Sequence, residues 1–487
     1  MWKPKERIKY QPIAGRWPSA QEAADSKLFT PFQQGRLSLA QRTWVPAMVP
    51  WRATEEGEVT DDVIEWYQRF AEGKPGAIVV EATGIRDVPS GPLLRIGHDR
   101  YLPGLKKIVE TVREASDGET KLFIQIIDFL SIKRRPLKEK FLTRFLKLND
   151  DIRAAVAQPT WSDDQIRAHL CELDEDALAE ILSERDFESL TRGFRERVTD
   201  TEQPHIEELP RVLPELFSAA AQRAEQAGFD GVELHYAHAY TMASFLSKLN
   251  TRTDGYGGTP EKRVRLPLEV FNKVRNAVSK DFLVGCRMLT EDCIEGGTGL
   301  EDASYFANQF AAAGMDFISL SRGGKFEDAK LPKVGQAIYP YTGKSGYECM
   351  PGHFSDKFGP FGRNLAPGEK IYRNMRAAGH KTPMIIAGGI HSFEQAEGIL
   401  QDEKADIIGL ARQAMADPDW FIKIKSGCGD EVNLCEYTNY CEGLDSKHKV
   451  VTCQLWDRTD KDKAGVSLTP DGKRRTTAPP WERPRDA

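Results

Sequence analysis

One short segment of the chain places three groups capable of acid-base chemistry directly after an apolar run. Residues 231–240 read Gly-Val-Glu-Leu-His-Tyr-Ala-His-Ala-Tyr, so His235, His238 and Tyr240 follow a strand-like stretch. Only nine histidines occur in 487 residues, which makes the close pair conspicuous. Imidazole N–H groups can hold an oxygen on which negative charge develops, and a phenol can supply a proton. We therefore predict a catalytic role for all three residues. The alternatives are core or helix-capping histidines and a packed tyrosine ring.

Two other polar residues interrupt apolar runs that have the composition of buried strands. Gln125 lies within Phe-Ile-Gln-Ile-Ile, and Arg287 lies near the end of the run at 283–288. An unsatisfied buried amide costs about 1–3 kcal/mol, and a buried guanidinium requires an anion or another electron-rich acceptor. A flavin ring would satisfy both groups, so we predict that Gln125 and Arg287 bind one.

A third set of residues has the types that bind phosphate. Gly388 and Gly389 lie just before a helix start at Ser392, and Arg412 follows the last strand-like run. Adjacent glycines let backbone N–H groups approach a phosphate, a helix start favours an anion, and arginine can form two charge-assisted hydrogen bonds. These residues predict a phosphorylated cofactor. A simple tight turn at the two glycines is the alternative.

Bringing these residues together requires a fold that gathers many strand ends in one place. Short apolar runs bounded by Gly, Pro, Asp or charged residues, and followed by helical patterns, recur eight times. This alternation indicates a parallel sheet covered by helices, and eight units indicate a closed (β/α)8 TIM barrel, an α/β fold. An open, doubly wound sheet is the runner-up, but no Gly-x-Gly-x-x-Gly follows the first run. The predicted strands are 43–48, 77–82, 122–127, 231–235, 283–288, 317–321, 383–388 and 406–411.

The predicted organisation divides the chain into four parts. Residues 1–30 form an N-terminal arm, residues 31–130 and 205–427 form the barrel, residues 131–204 form a helical insertion after the third strand, and residues 428–487 form a cysteine-containing extension and tail. The insertion is highly charged and carries apolar residues at helical spacing. Because it leaves the C-terminal end of a barrel strand, we expect a lid over the barrel mouth. A peripheral decoration or an oligomer contact is the alternative.

Composition and charge restrict the classes of partner. The net charge of −6 and the pI near 6.0 argue against nucleic acid and against an anionic membrane surface. The first residues lack the apolar core of a signal peptide, and the apolar runs are too short to span a bilayer. We therefore expect a soluble, cytoplasmic protein that acts on a small molecule. A homo-oligomer is left open.

The site residues belong to a longer pattern. Residues 227–240, 245–250 (Phe-Leu-Ser-Lys-Leu-Asn) and 252–258 (Arg-Thr-Asp-Gly-Tyr-Gly-Gly) resemble the Old Yellow Enzyme family of FMN-dependent oxidoreductases, in particular its bacterial branch near the 2,4-dienoyl-CoA reductases. The resemblance covers 32–427 without the insertion, and it implies FMN at the barrel mouth, reduced by NAD(P)H. The residues that it implies in FMN binding are Pro46, Ala47, Met48, Ala82, Gln125, Arg287, Gly388, Gly389, Ala411 and Arg412.

The chain departs from the family pattern at three places. The usual Ala-Pro-Met after the first strand is Pro46-Ala47-Met48, and the usual glycine before the tyrosine is Ala239. The family's histidine-containing segment after Gln125 is replaced by Ile-Ile-Asp-Phe at 126–129. These departures change the expected substrate pocket, while most of the expected flavin contacts stay.

Four cysteines lie close together after the barrel, namely Cys428, Cys435, Cys441 and Cys453. The dienoyl-CoA reductase branch carries a 4Fe-4S cluster held by cysteines in this region, and the interval from Cys441 to Cys453 matches its last interval. A 4Fe-4S cluster is therefore one prediction. The family's pair of cysteines two residues apart is missing, and zinc or unliganded thiols are the alternatives. Residues 459–487 are expected to wrap on the surface or to be disordered.

The resemblance implies an ene-reductase, in which hydride passes from NAD(P)H through FMN to an activated C=C bond of an α,β-unsaturated carbonyl compound or an enoyl thioester. The larger relatives carry a second nucleotide-binding half, for which this chain ends too soon. One alternative is an FMN-barrel demethylase or ring-reducing enzyme fed by a separate electron-donor protein. Another is a non-catalytic flavin-binding module.

Overall fold

Each of the eight apolar runs forms one strand of a closed barrel. The computed structural model describes residues 11–294, 296–324, 332–336, 360–445 and 447–483. The eight barrel strands are parallel and follow chain order, and the last pairs with the first through Ile408 and Thr43. This confirms the predicted (β/α)8 TIM barrel. Strands β1 (Phe32–Gln34) and β2 (Leu37–Leu39) form a separate antiparallel hairpin, and the barrel strands are β3 (Thr43–Val45), β4 (Ala77–Gly84), β5 (Lys121–Ile127), β6 (Gly231–Tyr236), β7 (Leu283–Leu289), β8 (Ile318–Ser321), β9 (Met384–Ala387) and β10 (Ile407–Gly409).

Helices cover the outside of the barrel, and several begin and end at residues that the sequence marks. The Thr60 side chain accepts a hydrogen bond from the Val63 N–H, and Gly228 and Gly314 end helices in the left-handed conformation. No helix among the described residues is both long and apolar enough to cross a bilayer. The main helices around the barrel are Asp61–Glu72, Leu102–Ala115, Leu209–Ala227, Thr241–Leu246, Pro260–Ala277, Leu300–Ala313, Leu365–Ala377, Phe393–Gln401, Arg412–Ala416 and Trp420–Lys425.

Large apolar side chains fill the N-terminal half of the barrel. Trp44 stacks on Phe123 with ring centroids 4.9 Å apart and lies 5.2 Å from Phe317. Phe32 and Leu37 of the hairpin, which the sequence pattern does not predict, join the same cluster. This end of the barrel is therefore a packed core, which leaves the C-terminal ends of the strands for polar residues.

The insertion is a helical unit with its own apolar core. Its two connections to the barrel run side by side, since Lys133 N–H donates to Phe194 at 2.7 Å and Glu196 N–H donates to Ser131 at 2.9 Å. Its helical segments are Lys138–Lys140, the π-helical turn Phe141–Phe145, Asp150–Val156, Asp163–Glu172, Glu175–Ile181 and Glu184–Thr191. Its core residues are Phe141, Leu142, Leu146, Ile152, Val156, Ile166, Leu170, Leu178, Leu182 and Leu190.

The C-terminal extension wraps back onto the barrel as an ordered segment. The Arg52 guanidinium donates to the carbonyl oxygens of Val451 and Thr476, and the Arg69 guanidinium donates to that of Ala478. Arg69 is itself buried and paired with Asp419. Of the two expectations for the tail, wrapping on the surface holds for residues 459–483, and residues 484–487 lie outside the described part, as do residues 1–10 of the N-terminal arm.

Candidate active site

A cavity of about 330 Å³ opens at the C-terminal ends of the barrel strands. His235, His238 and Tyr240 line it. Of the ten residues predicted to bind FMN, Pro46 alone is missing from its wall, because Pro46 is buried beside the lining residue Ala47. The predicted cofactor residues that line the cavity are Ala47, Met48, Ala82, Gln125, Arg287, Gly388, Gly389, Ala411 and Arg412.

His235 is held as a neutral imidazole with one nitrogen already used. Its Nδ1 accepts a hydrogen bond from the Ala237 N–H at 3.3 Å, so its proton resides on Nε2. Burial, together with the nearby Arg287 cation, lowers the pKa of His235 to about 3. His235 is therefore a hydrogen-bond donor to the cavity over the whole physiological pH range.

His238 and Tyr240 are placed by a sharp turn after β6. His238 and Ala239 both have left-handed backbones, with φ of 57° and 58°. The turn brings the His238 ring 5.0 Å and the Tyr240 ring 5.7 Å from that of His235, measured between centroids. His238 Nε2 lies 2.7 Å from the Ser321 hydroxyl oxygen. Strain of this kind at non-glycine residues is typical of functional sites.

The segment that departs from the family pattern after Gln125 supports this turn. The Asp128 carboxylate forms an ion pair with Arg86 at 2.6 Å, and its backbone oxygen accepts from the Thr241 hydroxyl at 3.0 Å. Burial raises the pKa of Asp128. Phe129 packs edge-to-face on Tyr240, with ring centroids 5.4 Å apart. This segment therefore fixes the tyrosine ring at the cavity wall.

A buried polar layer lies beneath the cavity, and it contains one residue that the sequence reading missed. Gln125 Nε2 donates to Glu233 Oε1 at 2.6 Å. Glu233 Oε2 and Arg287 Nε are buried, and neither has a hydrogen-bond partner among the described residues. Unpartnered buried groups of opposite charge at the floor of a cavity fit a polar ring system with donors and acceptors on one edge. The alternation of the β6 residues could have indicated Glu233, since it lies two positions before His235 on the same face.

The proposed phosphate end of the cavity has a backbone that only glycine accommodates. Gly388 and Gly389 have φ of 134° and 67°, and a Cβ on Gly389 would lie 1.9 Å from the Pro360 carbonyl oxygen. Arg412 begins the helix after β10, and its guanidinium donates to Asn439 Oδ1 at 2.6 Å and lies over the Tyr437 ring at 4.8 Å. Two glycines, a helix start and a guanidinium at one edge of the cavity fit the phosphate of FMN.

The extension supplies a cavity wall that no sequence motif indicates. Trp51 Nε1 donates to Asp445 Oδ1 at 2.7 Å, and the Trp51 ring stacks on His448 with centroids 4.2 Å apart. Trp51 and His448 both have left-handed backbones, with φ of 54° and 50°. All three residues line the cavity. Trp51 lies almost 400 residues before Asp445 and His448 in the chain, so residue spacing does not indicate that they are in contact.

Ion pairs fix the loop after β6. Arg252 pairs with Asp254 at 2.5 Å, and Arg263 pairs with Asp302 at 3.0 Å. Arg252 also donates to the backbone oxygens of Val198, Ile206 and Glu207, which return from the insertion. No described residue of 131–204 lines the cavity. The lid role of the insertion stays a prediction.

The four tail cysteines are not gathered into one group in the described part of the chain. No group of three or more His, Cys, Asp or Glu residues in the described part of the chain is arranged to hold a metal ion. Cys435, Cys441 and Cys453 lie near one another, whereas the charges that act on Cys428 are those of Glu431, Asp430 and Arg483. Burial raises the pKa of each of the four thiols, that of Cys441 to about 12. The 4Fe-4S cluster stays a prediction, and so do the alternatives of zinc and unliganded thiols.

Comparison with known proteins shows which proteins the barrel is similar to. The model of the NADH:flavin oxidoreductase / NADH oxidase family matches residues 205–431. The metal reductase of Desulforamulus reducens is 29% identical over 91% of this chain and 55% of that protein. The NADPH dehydrogenase of Bacillus subtilis is 27% identical over 80% of this chain and 92% of that protein. The chain spans about half the length of the first curated relatives that it matches.

Solved structures share the fold. The complex of 2-naphthoyl-CoA reductase with 2-naphthoyl-CoA superposes with a TM-score of 0.61 at 19% identity, over 88% of this chain and 56% of that one. The Old Yellow Enzyme homologue from Zymomonas mobilis superposes with a TM-score of 0.51 at 20% identity, over 82% of this chain and 92% of that one. The barrel, the sequence relatives and the family match agree: this chain is an α/β barrel similar to the NADH:flavin oxidoreductase / NADH oxidase family, with the match over residues 205–431.

Proposed function

We propose that this protein is an FMN-dependent ene-reductase, which uses NAD(P)H to reduce a C=C bond conjugated to a carbonyl group. FMN bound in this cavity would supply the hydride chemistry, by which a hydride from the nicotinamide reaches the electron-poor β carbon. The residues that would hold it are those of the cavity floor and the glycine-rich edge. The observation that carries the proposal is His235, a neutral imidazole fixed as a donor at the cavity wall.

His235 and His238 serve to hold the carbonyl oxygen of the substrate. Hydride addition at the β carbon moves negative charge onto that oxygen, and N–H donors fixed in advance stabilise the charge as it develops. Their rings lie 5.0 Å apart, which is close enough for both to reach one oxygen. The hydrogen bond of His238 to Ser321 fixes the second ring. A cationic His235 would not be needed, because a neutral N–H donor is sufficient.

Tyr240 completes the reaction by protonating the α carbon. Hydride at the β carbon and a proton at the α carbon together saturate the double bond, and NAD(P)H is oxidised. The Tyr240 ring lies 5.7 Å from that of His235 and is held by Phe129, so its hydroxyl belongs to the same region of the cavity. A protonated phenol is a competent general acid at neutral pH.

The test is a pair of anaerobic half-reactions on the purified holoprotein. NADH or NADPH should bleach the flavin absorbance, and an enone such as 2-cyclohexenone should restore it with formation of the saturated ketone. Bleaching without recovery by any enone or enoyl thioester would overturn the C=C assignment, while a flavin that neither nucleotide reduces would overturn the choice of reductant.

Variants assign the roles within the oxidative half-reaction. Tyr240→Phe should slow enone reduction at least tenfold and leave the rate of reduction by NAD(P)H unchanged. Tyr236→Phe is the matched control, because Tyr236 lies on the same strand but donates to the Pro267 carbonyl oxygen at 2.9 Å, away from the cavity. His235→Ala should weaken binding of the enone as well as slow its reduction. Equal rates for Tyr240→Phe and Tyr236→Phe would remove the tyrosine from the mechanism.

A further inference from the structure

Glu233 is a buried acid whose position the proposed mechanism does not explain. It lies in the middle of β6, is 0% exposed and pairs in register with Gln125 on β5. Gln125 and Arg287 line the cavity, whereas Glu233 does not. Glu233 therefore lies behind the cavity floor, where it acts on a bound molecule only through its neighbours.

The first neighbour is Gln125, whose orientation Glu233 determines. An ionised carboxylate only accepts hydrogen bonds, so the 2.6 Å contact with Glu233 Oε1 identifies the Gln125 atom there as the amide nitrogen. The amide oxygen is left for other partners. One edge of the flavin pyrimidine ring alternates carbonyl acceptors with an N–H donor, so an amide of fixed orientation can recognise it where a rotating amide would match it only part of the time.

The second neighbour is Arg287, whose charge Glu233 partly offsets. Arg287 is buried, and the described residues include no carboxylate within 4.0 Å of its guanidinium. Its hydrogen bonds to other described residues are long, 3.4 Å to the Ala47 carbonyl oxygen and 3.4 Å to the Ser321 hydroxyl. Each group favours the charged form of the other through space, against the opposing effect of burial on both pKa values.

We propose that Glu233 is a positioning residue that sets the reduction potential of the bound flavin, by fixing the Gln125 amide and offsetting the Arg287 charge beneath the ring. The inference rests on FMN binding at this cavity and not on the choice of substrate. Reduction adds electrons, and at neutral pH negative charge, to the flavin. A carboxylate below the site opposes that charge, and a cation supports it. Replacing the carboxylate with an amide of the same shape leaves Arg287 unopposed and favours the reduced form.

The experiment measures the midpoint potential of the holoprotein by anaerobic reduction in equilibrium with a reference dye. Glu233→Gln should shift the potential to a more positive value than in the wild type and should change the visible flavin spectrum. Glu81→Gln is the matched control, because Glu81 is equally buried on β4 but contacts Tyr67 and the Leu94 N–H instead of the cavity floor. The control should leave potential and spectrum unchanged.

A Glu233→Gln potential equal to that of the wild type, or an equal shift in Glu81→Gln, would overturn the inference. Glu233→Asp provides a second test that does not depend on how well the amide variant folds. This variant keeps the carboxylate charge but moves it away from Gln125. We therefore expect a changed flavin spectrum, with a smaller shift of the midpoint potential than in Glu233→Gln. An unchanged spectrum would contradict the role of Glu233 in orienting Gln125. Flavin content of the wild type separates these outcomes from a failure of FMN binding itself.

Discussion

Gly389 offers the most direct test of the proposed phosphate site, through Gly389→Ala. The backbone φ of 67° is one that costs an L-residue about 1–2 kcal/mol. The new Cβ would also lie 1.9 Å from the Pro360 carbonyl oxygen and 2.8 Å from the Phe361 Cα, both of which are backbone atoms that no side-chain rotation can move away. Overpacking of this kind adds about 1–3 kcal/mol. We therefore expect Gly389→Ala to lower the free energy of unfolding by about 2–5 kcal/mol.

The clash should also weaken FMN binding, because it moves residues that support the phosphate site. Phe361 packs on Tyr437 with ring centroids 5.1 Å apart, and Tyr437 lies under the Arg412 guanidinium. Displacing this stack moves the cation that we assign to the phosphate. If the contact between Arg412 and the phosphate loses about 1.4 kcal/mol, the dissociation constant of FMN rises tenfold.

Gly35→Ala is the matched control for the backbone term. Gly35 has a similar φ of 58°, but a Cβ there would meet nothing within 4 Å. Urea unfolding of the FMN-free proteins should show a loss of about 1–2 kcal/mol for Gly35→Ala and a larger loss for Gly389→Ala. Titration of each apoprotein with FMN, followed by flavin fluorescence, should show a weakened affinity only in Gly389→Ala. Wild-type affinity in a folded Gly389→Ala protein would refute the placement of the phosphate.

Four further outcomes follow from the described contacts. Arg252→Ala should lower the free energy of unfolding by about 3–5 kcal/mol, measured by urea denaturation, because it leaves Asp254 and three backbone oxygens without a buried partner. His235 should make the free energy of unfolding depend on pH, because its pKa is 6.5 in the unfolded chain and about 3 in the native protein. Between these values the unfolded chain binds a proton that the native protein does not, so the free energy of unfolding should fall on acidification from pH 6.5 toward about pH 3, by up to about 1.4 kcal/mol per pH unit. His235→Asn should remove that part of the pH dependence. Removal of FMN should speed hydrogen exchange in residues 437–451 and leave β4 and β5 protected, and equal exchange would contradict the contact of the extension with the cofactor site. Iron analysis of anaerobically purified protein should find less than one iron per chain, whereas four irons per chain would support the predicted 4Fe-4S cluster.

The barrel could be predicted from the sequence because its signals are local. Eight apolar runs separated by helical patterns require no knowledge of distant contacts, and parallel strands bring their C-terminal ends to one rim. The residues at those ends, such as Gln125, His235, Arg287 and Arg412, are therefore brought to one cavity by the fold itself. Their assignment to FMN depended on a family pattern, and their individual roles remain predictions.

The features that could not be predicted depend on long-range packing. Trp51 contacts Asp445 and His448 across almost the whole chain, and no periodicity records such a contact. Alternation along β6 places Glu233 on the same face as His235, but it does not show that Gln125 and Arg287, on the two neighbouring strands, are the residues that Glu233 meets. The environment of the cysteines also depends on packing: Cys435, Cys441 and Cys453 lie near one another, whereas Cys428, equally close in sequence, has different charged neighbours.

The strained residues at the cavity explain why the extension belongs to the site. Trp51, His238, Tyr437 and His448 line the cavity, and all have left-handed backbones that cost each about 1–2 kcal/mol. Such residues persist only when their surroundings determine them. For Trp51 and His448 these surroundings include the stacking of the two rings and the hydrogen bond from Trp51 to Asp445, so the extension helps to hold both conformations. The barrel supplies the proposed flavin site, and the extension supplies part of the cavity wall. We therefore expect changes in substrate preference to arise in this part of the extension.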